Sequence, residues 1–194
     1  MYKNTIITGL LASMLITLAM PVKASFHLWD INEIYSNADG SVQFIEFFTT
    51  FSGQQFLHTG GATLTSVNNT ATLNHVFSFP TDLPGTTANK FFLVGTAGLA
   101  MAPGGITPDY TVPNDFLFTG GGTLDYGPGA DALTYGALPT RGILSLNRDG
   151  TIGVNSPTNF SGQTGSVVPL PASALLFVSG ISALFAFAQR KRNE

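Results

Sequence analysis

Between its two ends this chain carries no long run with a helical period, and that absence constrains the fold more than any other feature of its 194 residues. In place of helix patterns stand short runs rich in Ile, Val, Phe, Tyr and Thr, at 26–35, 42–50, 71–79, 90–94, 132–135 and 143–146. Clusters of Gly, Pro, Asn and Asp separate them, which is the punctuation of hairpins and of packed sheets. The best-defined turn is 36–41, where Asp39-Gly40 supports a tight hairpin between the first two strands. In the run Val42, Gln43, Phe44, Ile45, Glu46, Phe47, Phe48 both alternate sets hold large apolar side chains, so a central strand covered on both faces is expected. The expected fold class is all-β, a β-sandwich of one domain over 25–160 followed by a linker at 161–168.

The two ends are of another kind. Lys3 supplies a positive start, 6–20 an apolar run, and Val22-Lys23-Ala24 a small-residue site, so 1–24 reads as a secretory signal peptide cut between Ala24 and Ser25. At the other end 172–188 holds no charge. As a helix it would be roughly 26 Å long, near the roughly 30 Å hydrocarbon core of a bilayer, so a transmembrane helix is expected there. Arg190, Lys191 and Arg192 follow at once as a stop-transfer cluster, and Lys/Arg excess marks the cytoplasmic side.

The tail resembles the PEP-CTERM sorting signal in its VPLPA form. Val168, Pro169, Leu170, Pro171 and Ala172 match the motif, and the apolar span and the basic cluster follow in the family's order. Leu170 stands where the commoner form has Glu. The resemblance implies export by a Gram-negative bacterium that makes exopolysaccharide. It implies as partners an exosortase-type membrane protease and the membrane itself, with an inner-membrane intermediate before the cell surface or extracellular matrix.

Charge divides in the same way. Of the eight Lys and Arg, Lys3, Lys23, Arg190, Lys191 and Arg192 lie in the end segments. The body keeps Lys90, Arg141 and Arg148 against all of the 11 carboxylates except Glu194, a formal balance of about −7, so a nucleic-acid partner is not expected. The chain has no cysteine, which excludes disulfides, thiolate metal sites and cysteine nucleophiles.

Three stretches of the body, 31–48, 76–95 and 130–150, resemble the lamin-tail domain. Glu33, Glu46, Pro80, Leu83, Phe92, Val94, Asp131 and Leu133 stand at the positions of its pattern. That resemblance implies an immunoglobulin-like sandwich with a binding or structural role. With the end segments added, the expectation becomes an immunoglobulin-like sandwich flanked by a signal helix and a transmembrane helix.

Signals of chemistry are few. His27, His58 and His75 are far apart and form no zinc pair. The stretch 127–132 fits G-x-G-x-x-A, but it lacks a following helix, and Pro128 hinders close approach to a pyrophosphate. The same stretch, extended to Leu133, carries one copy of the calcium-binding nonapeptide core, with Asp131 as the candidate ligand, although such repeats work by stacking. Glu33 and Glu46 fall on adjacent predicted strands among apolar residues, where carboxylates persist only when hydrogen-bonded or paired. Finally, 57–64 (LHTGGATL) recurs as 117–124 (LFTGGGTL), which suggests a duplicated hairpin element across the sandwich. The expected function is non-enzymatic and cofactor-free: an exported surface or matrix protein linked to extracellular polysaccharide. The alternatives are a carbohydrate- or calcium-binding adhesin and an exported hydrolase.

Overall fold

The computed structural model describes residues 26–168. Ten strands and one short helix run in the order β1 (Asp30–Ser36), β2 (Gln43–Thr49), β3 (Thr63–Asn68), β4 (Asn74–Ser78), β5 (Lys90–Thr96), α1 (Ala97–Met101), β6 (Tyr110–Val112), β7 (Gly122–Tyr126), β8 (Asp131–Tyr135), β9 (Leu144–Asn147) and β10 (Ile152–Val154). They build a six-stranded sheet, β10-β9-β1-β2-β5-β6, and a four-stranded sheet, β4-β3-β7-β8. The expected hairpin joins β1 to β2. Asn37 and Val42 close its turn, with the Asn37 N–H donating to the Val42 carbonyl at 2.9 Å and the Val42 N–H to Asn37 Oδ1 at 3.0 Å.

Alternation on the strands places one apolar layer between the sheets. Ile31, Ile34, Ile45, Phe47, Phe92 and Val94 of the large sheet meet Leu64, Leu124 and Tyr126 of the small one. Phe92 sits among aromatic rings, stacked on Phe47 at 4.4 Å between centroids and edge-on to Trp29 at 4.7 Å. Two polar tips in this layer find backbone acceptors, Trp29 Nε1 at Gln54 O (2.9 Å) and the Tyr126 hydroxyl at Phe26 O (3.0 Å). A second, smaller cluster of Tyr35, Phe44, Leu93, Leu99, Ile106 and Val167 covers the other face of the large sheet, so β2 is buried on both sides as its composition predicts.

The repeated octapeptide is a structural repeat within one sheet rather than across the two. In both copies the second glycine takes positive φ, +75° at Gly61 and +104° at Gly121. In both its N–H closes a turn on the residue three back, at His58 O (3.0 Å) and Phe118 O (3.2 Å). Leu57, Leu64, Leu117 and Leu124, the ends of the two units, are all buried. The strands that follow pair antiparallel with Thr65 opposite Asp125, its own equivalent sixty positions on, so the units are related by a local two-fold axis.

The immunoglobulin-like, all-β expectation needs correction. The fold is a mixed, β-rich, mostly antiparallel two-sheet structure with a short helix, and β5 and β6 pair in parallel. A parallel pair needs a crossover of a dozen residues or more, and 97–109 with α1 provides it. The flanking helices are corrected too. The helix that is present, α1, has five residues, about 7.5 Å of rise against a bilayer core of roughly 30 Å. Among the described residues no helix is long and apolar enough to cross a membrane. The transmembrane anchor, the membrane as a partner and the inner-membrane stage therefore gain no support from the fold. The segments 1–24 and 172–188, where the flanking helices were expected, lie outside the described residues.

Because Leu64 and Leu124 are equivalent and fully buried, Leu64→Ala and Leu124→Ala should each cost about 2–5 kcal/mol. Urea unfolding followed through Trp29, the single tryptophan, measures both; a cost well below that range at either position would show that the two leucines are not packed equivalently.

Candidate functional site

Carboxylates buried in the outer face of the large sheet are the main concentration of ionisable chemistry among the described residues. Glu33 on β1 lies directly opposite Glu46 on β2, and both are almost fully buried. Across β5 from Glu46 stands Leu93, and beyond it Asp109, whose Oδ2 accepts the Leu93 N–H at 2.8 Å. A carboxylate withdrawn from water needs donors, and a single segment supplies them to all three.

That segment is 155–168, which folds back over the sheet. The Ser156 N–H and hydroxyl donate to Glu33, at 3.0 Å and 3.1 Å. The Thr158 N–H donates to Glu46 Oε2 at 2.7 Å, while Asn32 Nδ2 reaches Oε1 at 2.6 Å. The Phe160 N–H donates to Asp109 Oδ2 at 2.9 Å. Alternate residues of an extended strap thus meet successive carboxylates, with Pro157 helping to hold the first step extended. Asn155 closes the loop end to end: its Oδ1 accepts the Val167 N–H at 2.6 Å, and its Nδ2 donates to the carbonyls of Val167 and Ile143. The strap continues against the chain after α1, with Ser166 N–H on Gly104 O and Val168 N–H on Pro103 O, each at 2.9 Å. Gly104 has φ +71°, and a Cβ there would meet Ser166 O at 2.1 Å, so this contact needs glycine.

Burial pushes the Glu46 carboxyl up to about 7, and the neighbouring Glu33 charge adds to the rise. Burial also raises Asp109. Each of these carboxylates accepts backbone N–H groups, the hydrogen bonding that burial demands of Glu33 and Glu46. Asp109 and the strap donors Ser156, Thr158 and Phe160 were missed, because backbone N–H groups leave no trace in side-chain composition. The run Asn155-Ser-Pro-Thr-Asn159, rich in small polar residues, is the signal that was available.

The other sequence candidates fall elsewhere. Asp131 opens β8 and receives the Arg148 guanidinium on both oxygens, at 2.5 Å and 2.7 Å. Its Oδ2 also accepts the Ile31 N–H at 2.7 Å, beside the bulge between Ile31 and Glu33. Burial would raise Asp131, but the hydrogen bonds and charge of Arg148 hold it below the usual carboxylate range. A guanidinium thus takes the place that the nonapeptide reading gives to calcium. His58 Nδ1 lies 2.9 Å from Phe79 O, and His75 Nδ1 lies 3.1 Å from Phe116 O with its ring stacked on Phe118. His27 packs against Phe26. Among the described residues no group of three or more His, Asp or Glu is placed to hold a metal. Of the sorting motif, Val168 is half-exposed at the end of the strap. Pro169, Leu170, Pro171 and Ala172 lie outside the described residues, as do Arg190, Lys191, Arg192, Ala24 and Ser25.

One open cleft of about 460 Å³ lies beside the end of the strap. Val42, Met101, Pro103 and Val168 contribute apolar lining, Asn37, Asp39 and Asn114 polar lining, and Tyr35 also borders it. Asp39 Oδ1 is engaged by the Ser41 N–H and hydroxyl, at 3.1 Å and 2.6 Å, and these bonds lower its carboxyl below the ordinary value. No known protein family, curated protein or solved structure matches the chain.

Asp131→Ala should cost about 1.5–3 kcal/mol, the range for a hydrogen bond to a charged group, because it strands the Ile31 N–H and frees Arg148. Millimolar calcium should leave the melting temperature of the wild-type chain unchanged. A calcium-dependent rise would restore Asp131 as a ligand.

Proposed function

We propose that this chain is a non-enzymatic exported module of an extracellular polysaccharide layer, sorted by an exosortase-type system through the motif that begins at Val168. The observation that carries the non-catalytic part is the occupancy of the buried carboxylates. Hydrolysis of a glycosidic bond uses two carboxyl groups facing one cleft, one as acid and one as base or nucleophile. Here Glu33, Glu46 and Asp109 are covered by the strap and Asp131 by Arg148. The cleft beside the strap has a single carboxylate on its lining, Asp39, already turned to Ser41. The sorting part rests on the residues of the tail, in which Val168-Pro-Leu-Pro-Ala172 precedes an apolar run and a basic end.

A second reading, a carbohydrate-binding adhesin, is favoured by that cleft. Its lining combines apolar side chains with amide and carboxylate groups, which suit the C–H face and the hydroxyls of a sugar ring respectively.

Replacing Pro169 and Pro171 by Ala in the native host tests the sorting reading. The double variant should keep the full-length size and disappear from the polysaccharide fraction, whereas wild-type chain is trimmed and recovered there. Trimming and recovery like wild type would remove the sorting reading. The adhesin reading is tested separately by Asn114→Ala, which should weaken retention of the purified chain on the host's polysaccharide without changing its melting temperature.

A further inference from the structure

Three like-charged groups lie in a row beneath one strap that contains no ionisable residue from Asn155 to Val168. From β1, Glu33 faces Glu46 directly; from β5 the opposing residue is Leu93; from the chain before β6, Asp109 stands beyond it. Among the described residues no Lys or Arg makes an ion pair with them: the Arg148 guanidinium is bound to Asp131, Lys90 Nζ lies over the Phe160 ring, 5.8 Å from its centroid, and Arg141 pairs with none of the three. The donors that hold the strap are neutral N–H and O–H groups. Closing the strap therefore dries two adjacent carboxylates at once, and a proton on one of them relieves the repulsion.

We propose that residues 155–168 form a proton-gated clasp, shut over the outer face of the large sheet in mild acid and loosened as the pH rises to neutrality. The direction follows from linkage. Glu46 titrates near 7 when the strap is closed and near 4.5 when it is open to water, so the closed form binds the extra proton between those values. The closing contribution is fully present below about 4.5 and is lost as the pH rises through 7. Over that window the opening constant grows by roughly tenfold per pH unit and then levels off. Asp109, raised by the same burial, pushes in the same direction. Opening removes Val167 from the apolar cluster of Tyr35, Phe44 and Leu93, and it releases the Val168 N–H from Pro103 O, so the start of the sorting motif is freed from the body. The gating stands on the carboxylate row and does not depend on the sorting reading.

The test is native-state hydrogen exchange of the full-length chain, with intrinsic pH effects removed, at the amides of Ser156, Thr158 and Phe160. Their opening constants should be roughly a hundredfold larger at pH 7 than at pH 5, while that of Phe47 in β2 changes much less. Glu46→Gln should flatten the dependence, since its side chain cannot ionise. Glu33→Gln should keep a dependence but bring the levelling-off to lower pH, because one repulsive charge is gone. Equal opening of the wild-type strap at both pH values, or an unchanged slope in Glu46→Gln, would overturn the clasp.

Discussion

The structure turns on the acceptance of strap N–H groups by carboxylates buried in the large sheet. Without those donors Glu33 and Glu46 would sit dry and unpaired, at a cost of about 1–3 kcal/mol or more for each unsatisfied group. Without those carboxylates the middle of 155–168 would lose its anchors on the sheet, and the cover that Val167 gives to Tyr35, Phe44 and Leu93 would weaken. The carboxylate row and the small apolar cluster thus support each other: the polar contacts fix where the strap lies, and the apolar cover excludes the water that would weaken them. A strap placed this way lets β2 be buried on both faces within a mostly antiparallel sheet, where one face is commonly open to water.

How far the fold could be read from sequence depends on which side chains carry each strand. Strands β1, β2, β4, β5, β8 and β9 fall within runs of aromatic and β-branched residues that stand out against their neighbours. Strands β3 and β7 do not, because each begins inside a Thr-Gly-Gly unit that reads as a turn. The glycines do make turns, at Gly61 and Gly121, but the threonine and leucine that follow already belong to the sheet. Helix α1 is too short to show a period, and β6 with three residues is held by its parallel partner rather than by its own composition. The site divides similarly. Two carboxylates on adjacent apolar strands announce that they need partners, but Ser156 and Thr158 lie more than a hundred positions away and act chiefly through their backbone. Asp131 shows the limit of motif reading: Gly-x-Gly-x-Asp is compatible with calcium, and only the fold brings Arg148 onto that aspartate.

The unequal size of the two sheets has its own consequence. Six strands facing four leave part of the large sheet without a covering layer, and Leu144, Ile152 and Val154 on β9 and β10 are exposed there. An edge with exposed apolar residues invites pairing with other chains. Here β10 is only three residues long, Arg148 and Asp149 precede it, and Pro157 follows soon after. Short length, flanking charge and a nearby proline each oppose extension of the sheet, so the overhang is shielded by its ends even though its face is bare.

The strap also ties the first residue of the motif to the body. Val167 is fully buried and locked to Asn155, and Val168, the first residue of the motif, still donates its N–H to Pro103 O. Pro169, next in the sequence, has no N–H to donate. Anything that grips the residues after Val168 pulls on a backbone tied through Asn155 and through the donors on Glu33 and Glu46. The protonation of one buried glutamate is thereby coupled, through a short run of hydrogen bonds, to the point at which the chain leaves its body.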